Sequence, residues 1–121
     1  MSIKILKEDL TQIIDEELAR AISNRGNFTG KHGAYAVILE EVEEAKEELD
    51  IVEDALKCLW HCIRHKIGTT GEIETIVNRA LNGAAELIQV AAMAKKFQQY
   101  LGAKELHWEK PAGSAGEMES H

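Results

Sequence analysis

ILEEVEEAKEELDIVEDALKCLWHCI, residues 38–63, is the stretch that decides the fold. Within it Ile38, Val42, Ala45, Leu49, Val52, Leu56, Leu59 and Ile63 alternate four and three apart without a slip. Apolar side chains at that spacing line one side of an α-helix, and a seam kept over 26 residues calls for another helix alongside. The segment therefore reads as a long helix, opening near His32-Gly33-Ala34-Tyr35 and packed in an antiparallel bundle or at an oligomer interface.

The flanking sequence completes an all-α reading. Upstream, Ile3, Leu6, Leu10, Ile13, Ile14, Leu18 and Ile22 keep helical spacing over roughly residues 4–23, and the turn-rich run from Asn24 to Gly30 ends that segment. Downstream, Gly68-Thr69-Thr70-Gly71 separates a third helix, with Thr69 and Glu72 spaced as a capping box and Gly102 just after the last periodic residue, Leu101. Residues 1–102 are expected to form one helical domain. Residues 103–121, rich in Pro, Gly, Ser and Glu, are expected to form a flexible tail, with Trp108 a candidate to dock on the bundle.

Composition narrows the function. A formal charge of −7 argues against nonspecific nucleic-acid binding, which needs a basic surface. No stretch has the length and apolarity of a membrane span, and the N-terminus has no signal-peptide core. Cys58 and Cys62 are one helical turn apart, a poor geometry for a disulfide, so a reducing, cytoplasmic setting is the natural expectation. Cys58, His61, Cys62 and His65 also suggest zinc, but no second ligand cluster exists, and cysteine packed as a small hydrophobe is the commoner outcome. Lys31, His32 and Tyr35 are weighed as nucleotide contacts and as residues that merely shape the helix start, with Tyr35 packed on the bundle; the latter is favoured.

The chemistry-bearing residues are acidic. Between Glu40 and Asp54 there are nine acids and one lysine, so the plain account of Glu40-Glu41-x-x-Glu44 is a solvated helix face. Glu86 is different: it is the one charged residue between Arg79 and Lys95. The main apolar stripe of its helix contains Ile73, Val77, Ala80, Leu81, Ala84, Ile88 and Ala91, whereas Glu86 keeps company with Asn82, Val90, Met93 and Phe97. The third helix thus reads as having two buried sides, one of them containing a lone acid. A carboxylate buried without a partner costs several kcal/mol or is held neutral, so Glu86 needs either a cation shared with the Glu40–Glu44 turn or an arginine or lysine at an oligomer interface.

The pattern Leu39-Glu40-Glu41-Val42-Glu43-Glu44-Ala45, followed by Ala85-Glu86-Leu87-Ile88-Gln89-Val90, resembles the MazG-like members of the all-alpha NTP pyrophosphatase superfamily, with EExxE on one helix and ExxD on a later one. His32-Gly33-Ala34-Tyr35 and the run Gln89 to Ala94 are similar to small phage or prophage proteins grouped with that family. The resemblance spans roughly residues 30–100. It implies an oligomeric helical bundle, a homodimer or homotetramer, hydrolysing a nucleoside triphosphate to monophosphate and pyrophosphate. It further implies Mg2+ held by Glu40, Glu41, Glu44, Glu86 and the residue at position 89, with Glu40 or Glu41 as general base for the water that attacks the α-phosphorus. Gln89 stands where the family pattern has Asp, and its amide oxygen brings no charge, so a lowered Mg2+ affinity is expected. The alternative is a noncatalytic, oligomeric helical interaction protein. With straight helices, the turns around Val42 and Glu86 are expected to be offset by about ten residues, roughly 15 Å. A break near Asp50 or a partner chain is therefore expected to complete the site.

Overall fold

The computed structural model describes residues 2–105. It is all helical: α1 is Ile3–Arg25, α2 is Lys31–Arg64 and α3 is Thr70–Glu105. Ser2 starts α1, its Oγ accepting the Lys4 N–H at 3.2 Å. Gly26 ends it at φ 74°, a conformation open to residues without a Cβ, and its N–H reaches the Ile22 carbonyl at 2.7 Å. The Thr69 carbonyl accepts the Ile73 N–H at 3.1 Å, which puts Thr69 at the expected capping position of α3. At the other end α3 continues through Gly102 to Glu105 rather than stopping there. The tail reading beyond Glu105, and the docking of Trp108, fall outside the described residues.

α2 and α3 form a long hairpin, turned at residues 65–69 with Lys66 at φ 56°. Its register is marked by Glu48, whose Oε1 accepts from Arg79 at 3.3 Å and from Asn82 at 3.5 Å. α1 packs on α3 and not on α2, crossing it near residues 89–97. The molecule is thus three helices thick at one end and two at the other. The core sits at the thick end, where Leu18, Ala92 and Met93 are buried and Ile14, Ala21, Ile22, Phe28 and Ile38 pack around them.

Three expectations about packing are corrected. The supposed main stripe of α3 is the open one: Val77 is 61% exposed, Leu81 68%, and Ile73, Ala80 and Ala84 are also exposed. The side that carries Glu86, Val90 and Met93 is the packed one. Three helices are too few to cover both sides of the hairpin, and α1 reaches only the end farthest from the turn. The heptad seam of α2 is covered in part for the same reason: Ala45 is buried, while Leu49, Leu56 and Ile63 are more than half exposed. Tyr35 is likewise exposed at 65% rather than packed on the bundle.

With so small a core, each member matters. Leu18→Ala removes a buried side chain where α1 meets α3, and a loss of about 2–4 kcal/mol in urea unfolding is expected. A loss under 1 kcal/mol would show that α1 is not held by this contact.

Candidate functional site

Glu40, Glu41 and Glu44 share successive turns of α2, and one oxygen from each lies within 4.8 Å of the others. Glu86 approaches from α3. Its carboxyl is close enough to Glu44, Glu41 and Glu48 to feel their charges, but it lies outside the group in which Glu40, Glu41 and Glu44 converge. Two sequence-adjacent acids and a third one turn on are common on a solvated helix. A fourth arriving from the opposite helix is not, because the carboxylates repel.

No break near Asp50 is needed to achieve this, since α2 is continuous from Lys31 to Arg64. Nor is a partner chain needed to bring Glu86 to Glu44. The expected offset was too large: Glu44 lies 20 residues before the end of α2 and Glu86 lies 16 after the start of α3. The difference is about 6 Å of helix, which the five-residue turn accommodates.

Among the described residues, no lysine or arginine pairs with Glu40, Glu41, Glu44 or Glu86. Arg79 bonds Glu48 instead, and Arg20 bonds Glu17. The electrostatic cost therefore appears in protonation. Burial, then the charges of Glu44, Glu41 and Glu48, push Glu86 up to about 7. Burial followed by Glu44, Glu40 and Glu17 raises Glu41 as well. A donor set made wholly of oxygens and left without a counter-charge fits a hard divalent cation such as Mg2+.

Beside the acids lies a cleft of about 360 Å³ between α1 and α2, floored by α3. Glu40, Glu41 and Gln89 line it, along with Glu17, Arg20, Arg25, Phe28 and Lys96. Gln89 Nε2 donates to Glu17 Oε2 at 2.7 Å, so its amide oxygen remains as the atom it can offer. Glu17 is a residue that the sequence did not single out. Arg20, on the next turn of α1, grips it with Nε donating at 2.9 Å; with the Gln89 bond this holds its carboxyl below the usual range despite the burial that opposes it. It adds a fifth acid to the site. Nothing in the linear pattern marks it, because its place depends on α1 crossing α3.

The other candidates separate from this site. Lys31, His32 and Tyr35 are exposed and do not line the cleft. At the hairpin turn, the Cys62 thiol donates to Glu72 Oε1 at 3.7 Å, and burial and that acid push its pKa up, which disfavours a nucleophilic thiolate. The His61 and His65 rings lie 4.3 Å apart. Among the described residues, the acids Glu40, Glu41 and Glu44 form the one group of three or more metal-ligand side chains that converges. No protein-family model, curated protein or solved structure matches the chain.

The raised Glu86 carboxyl makes stability depend on pH. Between about pH 4.5 and 7 the folded chain binds more protons than the unfolded one, so stability falls as pH rises across that window. Glu86→Gln is expected to melt like the parent at pH 5 and to be more stable at pH 8. Allowing for solvent screening of a partly exposed carboxyl, the gain is roughly 1–3 kcal/mol. A variant that gains nothing at pH 8 would show that Glu86 ionises freely.

Proposed function

We propose that the protein is a Mg2+-dependent nucleoside triphosphate pyrophosphohydrolase, converting an NTP or dNTP to the monophosphate and pyrophosphate. The observation that supports this most is Glu86 meeting the Glu40-Glu41-x-x-Glu44 turn without a cationic partner, at the edge of a cleft. Glu40, Glu41, Glu44 and Glu86 would hold the ion, with Gln89 as a neutral fifth donor. When bound, Mg2+ supplies charge neutralisation for the triphosphate and Lewis-acid activation at phosphorus.

The chain's own residues account for the rest. Glu40 and Glu41 both line the cleft, but Glu41 is partly buried whereas Glu40 is exposed, so Glu41 is the better-placed general base. It accepts a proton as water attacks the α-phosphorus, and the bond to the bridging oxygen breaks to release pyrophosphate. Gln89 lacks the charge of the family's Asp, but Glu17, bonded to it and paired with Arg20, places a carboxylate next to that position.

Oligomerisation belongs to the same proposal. Leu49, Leu56 and Ile63 of α2 and Ile73, Val77 and Leu87 of α3 expose apolar surface of a kind that isolated soluble domains rarely leave bare. A groove of about 340 Å³ between the helices, lined by Val42, Leu49, Val52 and Leu87, continues it. A homodimer or homotetramer burying this face at a distance from the acids fits both the hydrolase reading and its rival, a noncatalytic helical interaction protein. That rival is favoured by the extent of the apolar face alone. No helix among the described residues is long and apolar enough to cross a membrane, and we place the activity in the cytoplasm, where reduced Cys58 and Cys62 are at home.

Incubation with an NTP and dNTP panel and Mg2+ is expected to release pyrophosphate, and Glu41→Gln is expected to lower the rate by about 10²–10⁴-fold. No release from any nucleotide, together with no stabilisation by Mg2+, would overturn the enzyme and leave the interaction protein. Light scattering is expected to give a dimer or tetramer, reduced to monomer by Leu56→Glu with Leu81→Glu. A monomeric parent would remove the oligomer.

A further inference from the structure

Lys96 is the only buried charged residue among those described, at 5% exposure, and it lines the cleft. It has neither an ion pair nor a hydrogen bond to any described residue. Its Nζ lies 4.4 Å from the centroid of the Phe28 ring, whose edge-to-face contact with Phe97 fixes it in place. A ring face gives an ammonium about 0.5–2 kcal/mol, well short of what a desolvated charge forfeits on leaving water. The nearest charge acting on Lys96 is another cation, Arg25, which adds to the effect of burial in lowering its pKa. Arg25, an exposed residue, lines the same cleft and has no ion pair with any described residue.

The cleft is therefore divided by sign. Glu17, Glu40 and Glu41 line it with Gln89, and Lys96 sits seven residues along α3 from Gln89, about 10 Å away. Arg20 already pairs with Glu17, so the groups left unneutralised are Lys96 and Arg25 at one end and Glu40 and Glu41 at the other, which would normally attract each other. The helices hold them apart, so both ends are left to a ligand. Such a ligand must be long, anionic at one end and able to engage a cation at the other.

We propose that Lys96 and Arg25 form an anion site that takes a phosphate group of a polyphosphate chain, at the opposite end of the cleft from the carboxylates. That the ligand is a polyphosphate rests on the hydrolase reading; that an anion sits there rests on Lys96 itself. The aromatic face is already covered by the Lys96 ammonium, which leaves this end to a phosphate rather than to a nucleobase. The site selects substrates with two or more phosphates beyond the sugar, and it retains pyrophosphate as product.

The test titrates the full chain with inorganic pyrophosphate in the presence of EDTA, by calorimetry. Lys96→Met keeps the apolar stem over Phe28 and removes the charge; Lys96→Arg restores the charge. The parent is expected to bind, Lys96→Met at least tenfold more weakly, and Lys96→Arg close to the parent. A parent that does not bind pyrophosphate, or a Met variant that binds equally, overturns the anion site. Melting with Mg2+ alone separates the two proposals. Its stabilising effect is expected to survive Lys96→Met unchanged, and its absence in the parent would count against the carboxylate site while leaving the pyrophosphate result to stand or fall by itself.

Discussion

The antiparallel register of α2 against α3 is the constraint on which everything else depends. It sets Glu48 against Arg79 and Asn82, and one turn further on it forces Glu86 onto Glu44. The first contact is an ordinary ion pair at partial exposure and contributes little. The second is a conflict of like charges, and burial together with the neighbouring acids raises the Glu86 carboxyl to about 7. Sliding α3 by a turn would remove the conflict but would also separate Glu48 from Arg79. The hairpin thus holds a cluster that on its own terms is unfavourable, which is how binding sites for cations commonly arise.

α1 adds the second half of the arrangement. By crossing α3 near Gln89 and Met93 it closes the core, forms one wall of the cleft and delivers Glu17, Arg20 and Arg25 to it. The Lys95–Asp15 ion pair and the Gln89–Glu17 hydrogen bond fix that crossing on either side. Stability and site geometry are therefore coupled through one contact region. The hairpin turn, by contrast, bears neither core nor cleft, and its apolar residues face outward.

Much of this was legible in the linear sequence, and the reasons are specific. Helix extents followed from an unbroken four-three spacing and from glycine-bearing breaks at residues 26–30 and 68–71, where local chemistry acts alone. Glu86 stood out because its neighbours were apolar, and the charges of Glu44 and Glu41 do reach it, although it stays outside the group that Glu40, Glu41 and Glu44 form. Apart from Gly102, which α3 runs through, what failed was whatever depended on how helices slide and cross. Counting from the turn overstated the offset between the two acidic motifs. Apolar periodicity marked both sides of α3 but could not rank them, so the side taken as the principal interior is the open one. Glu17 and Lys96 were invisible because each acquires its meaning from a helix distant in the chain.

The central claim is that carboxylates from two helices converge on one cation. The most direct measurement is anomalous diffraction from crystals grown with Mn2+ in place of Mg2+. A peak bounded by the carboxylates of Glu40, Glu41, Glu44 and Glu86, with metal–oxygen distances near about 2.1 Å, is the predicted result. Saturating Mn2+ with no peak at that position, or one ligated by Glu40 and Glu44 while Glu86 turns away, would contradict it.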